Sequence, residues 1–376
     1  MSKQTKGLAG VVAGESQIST VGTGGGLNYR GFSIEELCEK CNFEQVAYLL
    51  LYKRFPNGNE LNGFMDRINS YRGLNETLKQ LLRSLKSSAN AMDVCRTVVS
   101  LLGIQNPEDP DFKNQNDIPL IVLGSLGPSI CYWWHYSRTG KEIDLSSRSE
   151  ESIAYNFLRL LRYDNKPIPA LDVKTMDVSL ILYAEHDFNA STFACRVTAS
   201  TLSDLYSCLC TGIGTLKGKL HGGANEAAME YLGNLKTIEE ADHFLNNNFK
   251  NKALIMGFGH RVYKNGDPRH HIIKDYSKKL SETEYGKPQL YKISDHIEQR
   301  MVNEKKIHPN LDFFSASAYY QLRIPIQLFT PIFVISRTTG WVAHVYEQRA
   351  KNTLIRPRSN YTGPLNLKVD EFMPKL

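Results

Sequence analysis

Long apolar runs are missing from this chain of 376 residues. No segment approaches the roughly eighteen uninterrupted apolar residues that a membrane-spanning helix needs. The longest candidate, 118–134, is broken by Gly124, Gly127, Pro128 and Ser129. The opening Met1-Ser2-Lys3-Gln4-Thr5-Lys6 has no apolar signal core and no arginine-rich amphipathic pattern, so the expectation is a soluble cytoplasmic protein. Seven cysteines, an odd number spread over a long chain, exclude a disulfide framework. Cys38-Glu39-Lys40-Cys41 alone has redox or metal spacing, and no second such pair completes a zinc site; two reduced thiols are expected there, and no metal. Charge of one sign is also scarce: 45 Lys and Arg against 39 Asp and Glu leave a formal +6. The basic residues form no aromatic-interleaved stripe, which excludes a nucleic-acid surface and fits a small anionic ligand. Repeats and low-complexity tracts are absent, and the length allows one large domain or two unequal ones.

What the chain does have is helical periodicity. Gly and β-branched residues in the first thirty positions predict a short extended or hairpin segment. Beyond Arg30-Gly31, apolar residues recur at three and four positions over 34–51, 74–85, 92–102, 153–161, 178–182, 193–212, 227–232, 272–280, 290–302 and 332–346. Almost no strand period remains, and the expected fold class is all-α. The segment 354–364 loses the helical period, carries two prolines, and reads as an extended arm of the kind that lies over a neighbouring subunit.

Three stretches combine reactive side chains with glycine or helix starts: Lys219-Leu-His-Gly-Gly-Ala-Asn-Glu, Gly257-Phe-Gly-His-Arg with Asp267-Pro-Arg, and Pro309-Asn-Leu-Asp. Glycine lets the backbone approach a ligand closely. Asp267-Pro268 reads as N-cap and first helical residue, which puts Arg269 in a first turn. Asn310 caps similarly and leaves Asp312 at about the second helical position. His221 precedes a glycine-started helix over 223–232, whose positive end disfavours a ring proton, so a neutral hydrogen-bond donor is expected. A carboxylate base, a neutral histidine donor, a second histidine acid and several arginines suit carbon–carbon bond formation between an enolised thioester and a keto acid. General-base catalysis supplies about 10²–10⁴-fold and one oxyanion donor about 10²–10³, so the two must act together.

These motifs resemble the citrate synthase family, as do Glu185-His-Asp-Phe-Asn-Ala-Ser-Thr-Phe, Ser336-Arg-Thr-Thr-Gly-Trp and Tyr29-Arg-Gly-Phe. The resemblance runs from about 8 to about 364. The segments 7–14, 19–22, 183–186 and 356–361 look most like the bacterial 2-methylcitrate synthase branch. The resemblance implies a large helical domain from 1–221 and 318–376, a smaller inserted one over 222–317, and an active site in the cleft between them. It implies condensation of propionyl-CoA with oxaloacetate and water to give 2-methylcitrate and CoA, with no cofactor, since acyl-CoA is a substrate. His221 would hydrogen-bond the thioester oxygen, Asp312 remove the α-proton, and His260 polarise and protonate the ketone. His186, Arg269, Arg337 and Arg356 match oxaloacetate and product ligands, Arg356 coming from the partner chain of a homodimer. Arginine suits carboxylates through its planar fork. No Gly-rich phosphate loop serves CoA; the adenine would meet the backbone of Ile255, Gly257, Phe258 and Gly259, and Arg261, Lys264 and Lys305 are candidate phosphate contacts.

Three other readings compete. A citrate synthase using acetyl-CoA differs only by a methyl group, worth about 1–3 kcal/mol of discrimination. A non-catalytic helical interaction protein would be expected to lose at least one of His221, His260 or Asp312. A metal hydrolase built on His260, Asp267, His270 and His271 would need ligands on one face, whereas adjacent helical residues point about 100° apart.

Overall fold

The computed structural model describes residues 6–8, 10–21, 26–148, 150–263 and 266–369. A three-stranded antiparallel sheet opens the fold: β1 (Ser19–Val21), β2 (Leu27–Tyr29) and β3 (Phe32–Ser33), with Ser19 opposite Tyr29 and Tyr29 opposite Phe32. Sixteen α-helices follow among the described residues. They are α1 (Ile34–Lys40), α2 (Phe43–Tyr52), α3 (Gly58–Ser70), α4 (Glu76–Ser84), α5 (Ala91–Gln105), α6 (Ile118–Thr139), α7 (Ile153–Arg162), α8 (Ala170–Tyr183), α9 (Ala190–Ser200), α10 (Leu205–Leu216), α11 (Ala224–Leu232), α12 (Ile238–Asn251), α13 (His270–Ser281), α14 (Pro288–Arg300), α15 (Leu311–Gln321) and α16 (Phe329–Ala350). The all-α expectation and the N-terminal hairpin both hold, and none of these helices is long and apolar enough to cross a membrane.

Polar caps cut the helices where periodicity ran on. The predicted helix 34–51 is two, because Asn42 forms a reciprocal capping box with Gln45 and starts α2. The run 193–212 is likewise divided: Leu202 is left-handed (φ 64°), and Asp204 accepts the Ser207 N–H to start α10. Four helices lay outside the predicted runs, α3, α6, α12 and α15, the last expected only from its Asn310 cap. In α6 the glycines and proline that interrupt the apolar run do not stop the helix. Gly124 lets α3 approach, since a Cβ there would lie 2.3 Å from the Ile68 carbonyl oxygen, and Ser129 returns its hydroxyl to Ser125 O at 2.7 Å.

Helix α16 is the axis of the core. Eighteen of its residues are buried, Trp341 completely, and it packs against α2, α5, α6, α8, α9 and α10. Helices α11 to α15 pack largely on one another, with α15 central, and meet the rest mainly through α8 and α16. All seven cysteines are free thiols; Cys38 is buried in α1 and Cys41 is its C-cap. The segment 352–368 has neither helix nor strand and is exposed almost throughout, the extended arm expected from its prolines.

Candidate active site

The second and third motifs, some fifty residues apart, are joined by backbone. Gly259 N–H donates to His308 O (2.8 Å), Asn310 N–H to Gly257 O (2.9 Å), and Asn310 Nδ2 to Gly259 O (3.0 Å), around a bridge between Phe258 and Pro309. Gly257 needs to be glycine twice over: its φ is 87°, and a Cβ would lie 2.9 Å from Phe313 Cβ. This join delivers His260 and Asp312 to one wall of a cleft.

Asp312 is the second residue of α15, as predicted; its N–H is taken by the capping Asn310 side chain at 3.0 Å. The Tyr183 hydroxyl donates to its Oδ1 at 2.6 Å. Burial pushes the carboxyl up to about 6, so it is ionised at neutral pH yet basic enough to accept a proton.

His221 lies in the turn before α11, whose N-cap is Gly223. The Ser191 backbone N–H points at its Nε2 from 3.3 Å, and the Ser191 hydroxyl is 2.8 Å from the same nitrogen. An amide can only donate, so Nε2 holds a lone pair and the ring proton is assigned to Nδ1. Burial, followed by the charge of Arg337, lowers this histidine to about 4. The lowered value agrees with the neutral ring expected from the sequence, and burial and the Arg337 cation are its main causes.

His260 is held through Nδ1, which accepts the N–H groups of Val262 (3.1 Å) and Tyr263 (3.2 Å). In the neutral ring this places the proton on Nε2. The His186 ring stands edge-on to it with centroids 5.1 Å apart, and His186 Nε2 is 3.2 Å from the Tyr263 hydroxyl. Burial, then the neighbouring Arg269, keeps His186 well below the ordinary histidine range.

Two of the three candidate arginine ligands of carboxylate line the same cleft as buried side chains, Arg269 and Arg337. Arg337 donates from Nε to Tyr183 O at 2.7 Å and lies over the Phe333 ring, and burial lowers it to about 10. Arg269 does not sit in a first helical turn. Residues 268 and 269 form a turn and α13 starts at His270, while the Asp267 carboxylate accepts both the backbone N–H of Arg269, as a cap does, and its Nε–H. Arg356 is exposed on the extended arm and is not on its own chain's cleft wall.

The cleft holds about 840 Å³ and brings His186, His221, His260, Arg269, Asp312 and Arg337 together. Ile255, Gly257, Phe258, Gly259 and Arg261 also line it. Lys305 does not: its ammonium lies 4.2 Å over the Phe249 ring, where a cation is held by the aromatic face. Lys264 falls outside the described residues. Tyr183, Ser191, Tyr263 and Phe333 are site residues that sequence reasoning gave no role, although the first three stood inside or at the end of stretches that carry the resemblance. The residues of the metal-hydrolase reading are engaged elsewhere: Asp267 with Arg269, and His270 with Asp267 O and Glu298, both at 3.1 Å. Among the described residues no group of three or more His, Cys, Asp or Glu could hold a metal ion.

Residues 7–358 match the family model "Citrate synthase, C-terminal domain". A 2-methylcitrate synthase of Shewanella oneidensis is 47% identical over 364 residues, covering 96% of both chains. Citrate synthase 2 of Bacillus subtilis is 41% identical, again covering 96% of both. Among solved structures, the Thermoplasma acidophilum citrate synthase in ternary complex with carboxymethyl coenzyme A and oxaloacetate superposes with a TM-score of 0.89 at 31% identity, over 96% of this chain and 97% of that one. With the fold, the family match and relatives that span nearly its whole length in agreement, the chain belongs to the citrate synthase family.

Proposed function

We propose that the chain condenses propionyl-CoA with oxaloacetate and water to give 2-methylcitrate and CoA. The observation that carries the reading is the convergence of a raised carboxyl, two histidines with assigned proton positions and two buried arginines on one cleft. Asp312 takes a proton from the α-carbon of the thioester while Nδ1–H of His221 donates to the thioester oxygen, where negative charge develops. The enol carbon attacks the ketone carbon of oxaloacetate, and the ketone oxygen takes the proton of His260 Nε2. Water then cleaves the thioester and releases CoA. Arg269, Arg337 and His186 hold the carboxylates of the keto acid, and Arg356 of a partner subunit completes the set in a homodimer. The backbone from Ile255 to Gly259 is the proposed adenine contact, with Arg261 and Lys264 toward the CoA phosphates.

The helices packed around α15 favour an inserted unit close to the expected 222–317 between 1–221 and 318–376, with its far boundary moved past the end of α15 at Gln321, since 317 falls inside that helix, and with the cleft at the junction. Closure of one part on the other would exclude water from the enol.

The propionyl preference is supported by the 47% identical relative named as a 2-methylcitrate synthase, and the acetyl-CoA reading by the 41% identical citrate synthase 2. CoA release with saturating oxaloacetate, measured for both thioesters on one preparation, tests the choice. A pocket fitted to the extra methyl gives a kcat/KM ratio of about 10 to 200 in favour of propionyl-CoA. An equal or higher value for acetyl-CoA makes the protein a citrate synthase.

A further inference from the structure

Asp267 has no step in the reaction above, yet its carboxylate is buried and accepts four hydrogen bonds. Oδ1 takes the backbone N–H of Arg269 (3.0 Å) and its Nε–H (2.9 Å); Oδ2 takes Nη2–H of Arg269 (2.8 Å) and the N–H of Leu311 (3.1 Å). The paired contacts to Nε and Nη2 set the plane of the guanidinium and leave Nη1 outside the pair. The fourth contact satisfies the first N–H of α15, one of those a helix leaves without an internal partner. Asn310 caps the next one, that of Asp312. One buried carboxylate therefore ties the arginine of the keto-acid site to the helical turn that carries Asp312.

We propose that Asp267 is a positioning residue of the condensation, holding Arg269 and the first turn of α15 in one fixed relation so that keto acid and base meet in register. This rests on the reading of Asp312 as the base. The charged and titratable groups around Asp312 are Tyr183 from α8, Arg337 from α16, Arg269 and Asp267 from the turn before α13, and Tyr319 on its own helix. Asp267 is the anion among them. Its removal leaves Arg269 without a counter-charge, and both changes favour ionisation of Asp312.

Asp267→Asn keeps the size and one acceptor oxygen but removes the charge. We expect a folded enzyme whose acid limb of kcat moves to lower pH by about half a unit or more. KM for oxaloacetate should rise about 10-fold or more as Arg269 loses a charged acceptor. A residue that served only folding would lower the melting temperature and leave the acid limb in place. Asp267→Glu keeps the charge but displaces it by one methylene, so the limb stays and KM for oxaloacetate rises; this variant carries the test if the Asn variant does not fold. Wild-type limb and wild-type KM in Asp267→Asn, or wild-type KM in Asp267→Glu, overturns the proposal. Asp312→Asn in the same assay separates the two readings. If that variant turns over normally, the base assignment fails by itself, and Asp267 is then judged on calorimetric oxaloacetate affinity, where a wild-type Kd in Asp267→Asn overturns it.

Discussion

The Tyr183 hydroxyl donates to Asp312 Oδ1 at 2.6 Å, joining the last residue of α8 to the second residue of α15. Burial drives the Asp312 carboxyl upward, and this bond, which favours its ionised form, draws it down again to about 6. Without the phenol the burial effect is less opposed. Tyr183→Phe should raise the Asp312 pKa by about one unit and move the acid limb of the kcat profile to higher pH. The pH dependence of kcat at saturating substrates checks this, and an unmoved limb would separate Tyr183 from the titration of the base.

Asp312→Asn removes the proposed base while leaving size and helix capping intact. The expected loss in kcat is at least about 10²-fold, with oxaloacetate affinity nearly unchanged because the arginines of the cleft stay in place. Steady-state kinetics beside calorimetric titration with oxaloacetate separates the two effects, and normal turnover would remove Asp312 from the mechanism.

Arg356 is exposed on the arm of its own chain, so its action in trans has a genetic test. Mixtures of inactive His260→Ala and inactive Arg356→Ala chains should regain activity through hybrid dimers, in which one site carries both lesions and the other neither. No recovery after verified subunit exchange would mean that Arg356 serves its own chain or no site.

Away from the cleft, Asp177 accepts the Phe43 N–H at 2.8 Å, and Glu44 accepts the Ile153 N–H at 2.6 Å. Burial and then the neighbouring Glu44 push Asp177 up to about 7. The folded state thus binds a proton that the unfolded chain releases at about 4, so this group's contribution falls as pH rises between those values. Asp177→Asn mimics the protonated form and keeps the acceptor oxygen. Its stability relative to wild type should rise by about 1 kcal/mol or more between pH 4 and pH 8. Urea denaturation at the two pH values checks the sign, and a constant difference would contradict the assigned titration.

Local signals were legible in the sequence, and non-local ones were not. The placement of Asp312 at the second position of α15 and of His221 just ahead of α11 follows from capping residues one or two positions away, and both hold. The fold class follows in the same way from apolar spacing. Expectations failed where a side chain found a distant partner or a neighbour the helix rules do not anticipate. Asp267 accepts the N–H of Arg269 as a cap would, yet α13 starts only at His270, and the same carboxylate also holds the Arg269 guanidinium and the N–H of Leu311, 44 positions away. Lys305 left the cleft for the Phe249 face. The lowered pKa of His221 had the expected direction but came from burial and Arg337, neither visible in a linear string.

By itself the sequence determined that the chain is helical, where most helices begin, and which three motifs bear histidine, arginine and carboxylate beside glycine or a helix start. Only the tertiary structure decided which side chains those groups face: Tyr183 against Asp312 across 129 positions, Ser191 against His221 across 30, Asp267 against the N–H of Leu311 across 44. Capping and periodicity act within a turn or two and leave a pattern along the chain. Desolvation and hydrogen bonding across the cleft depend on which surfaces the packing of α8, α15 and α16 brings together, and such contacts follow no spacing.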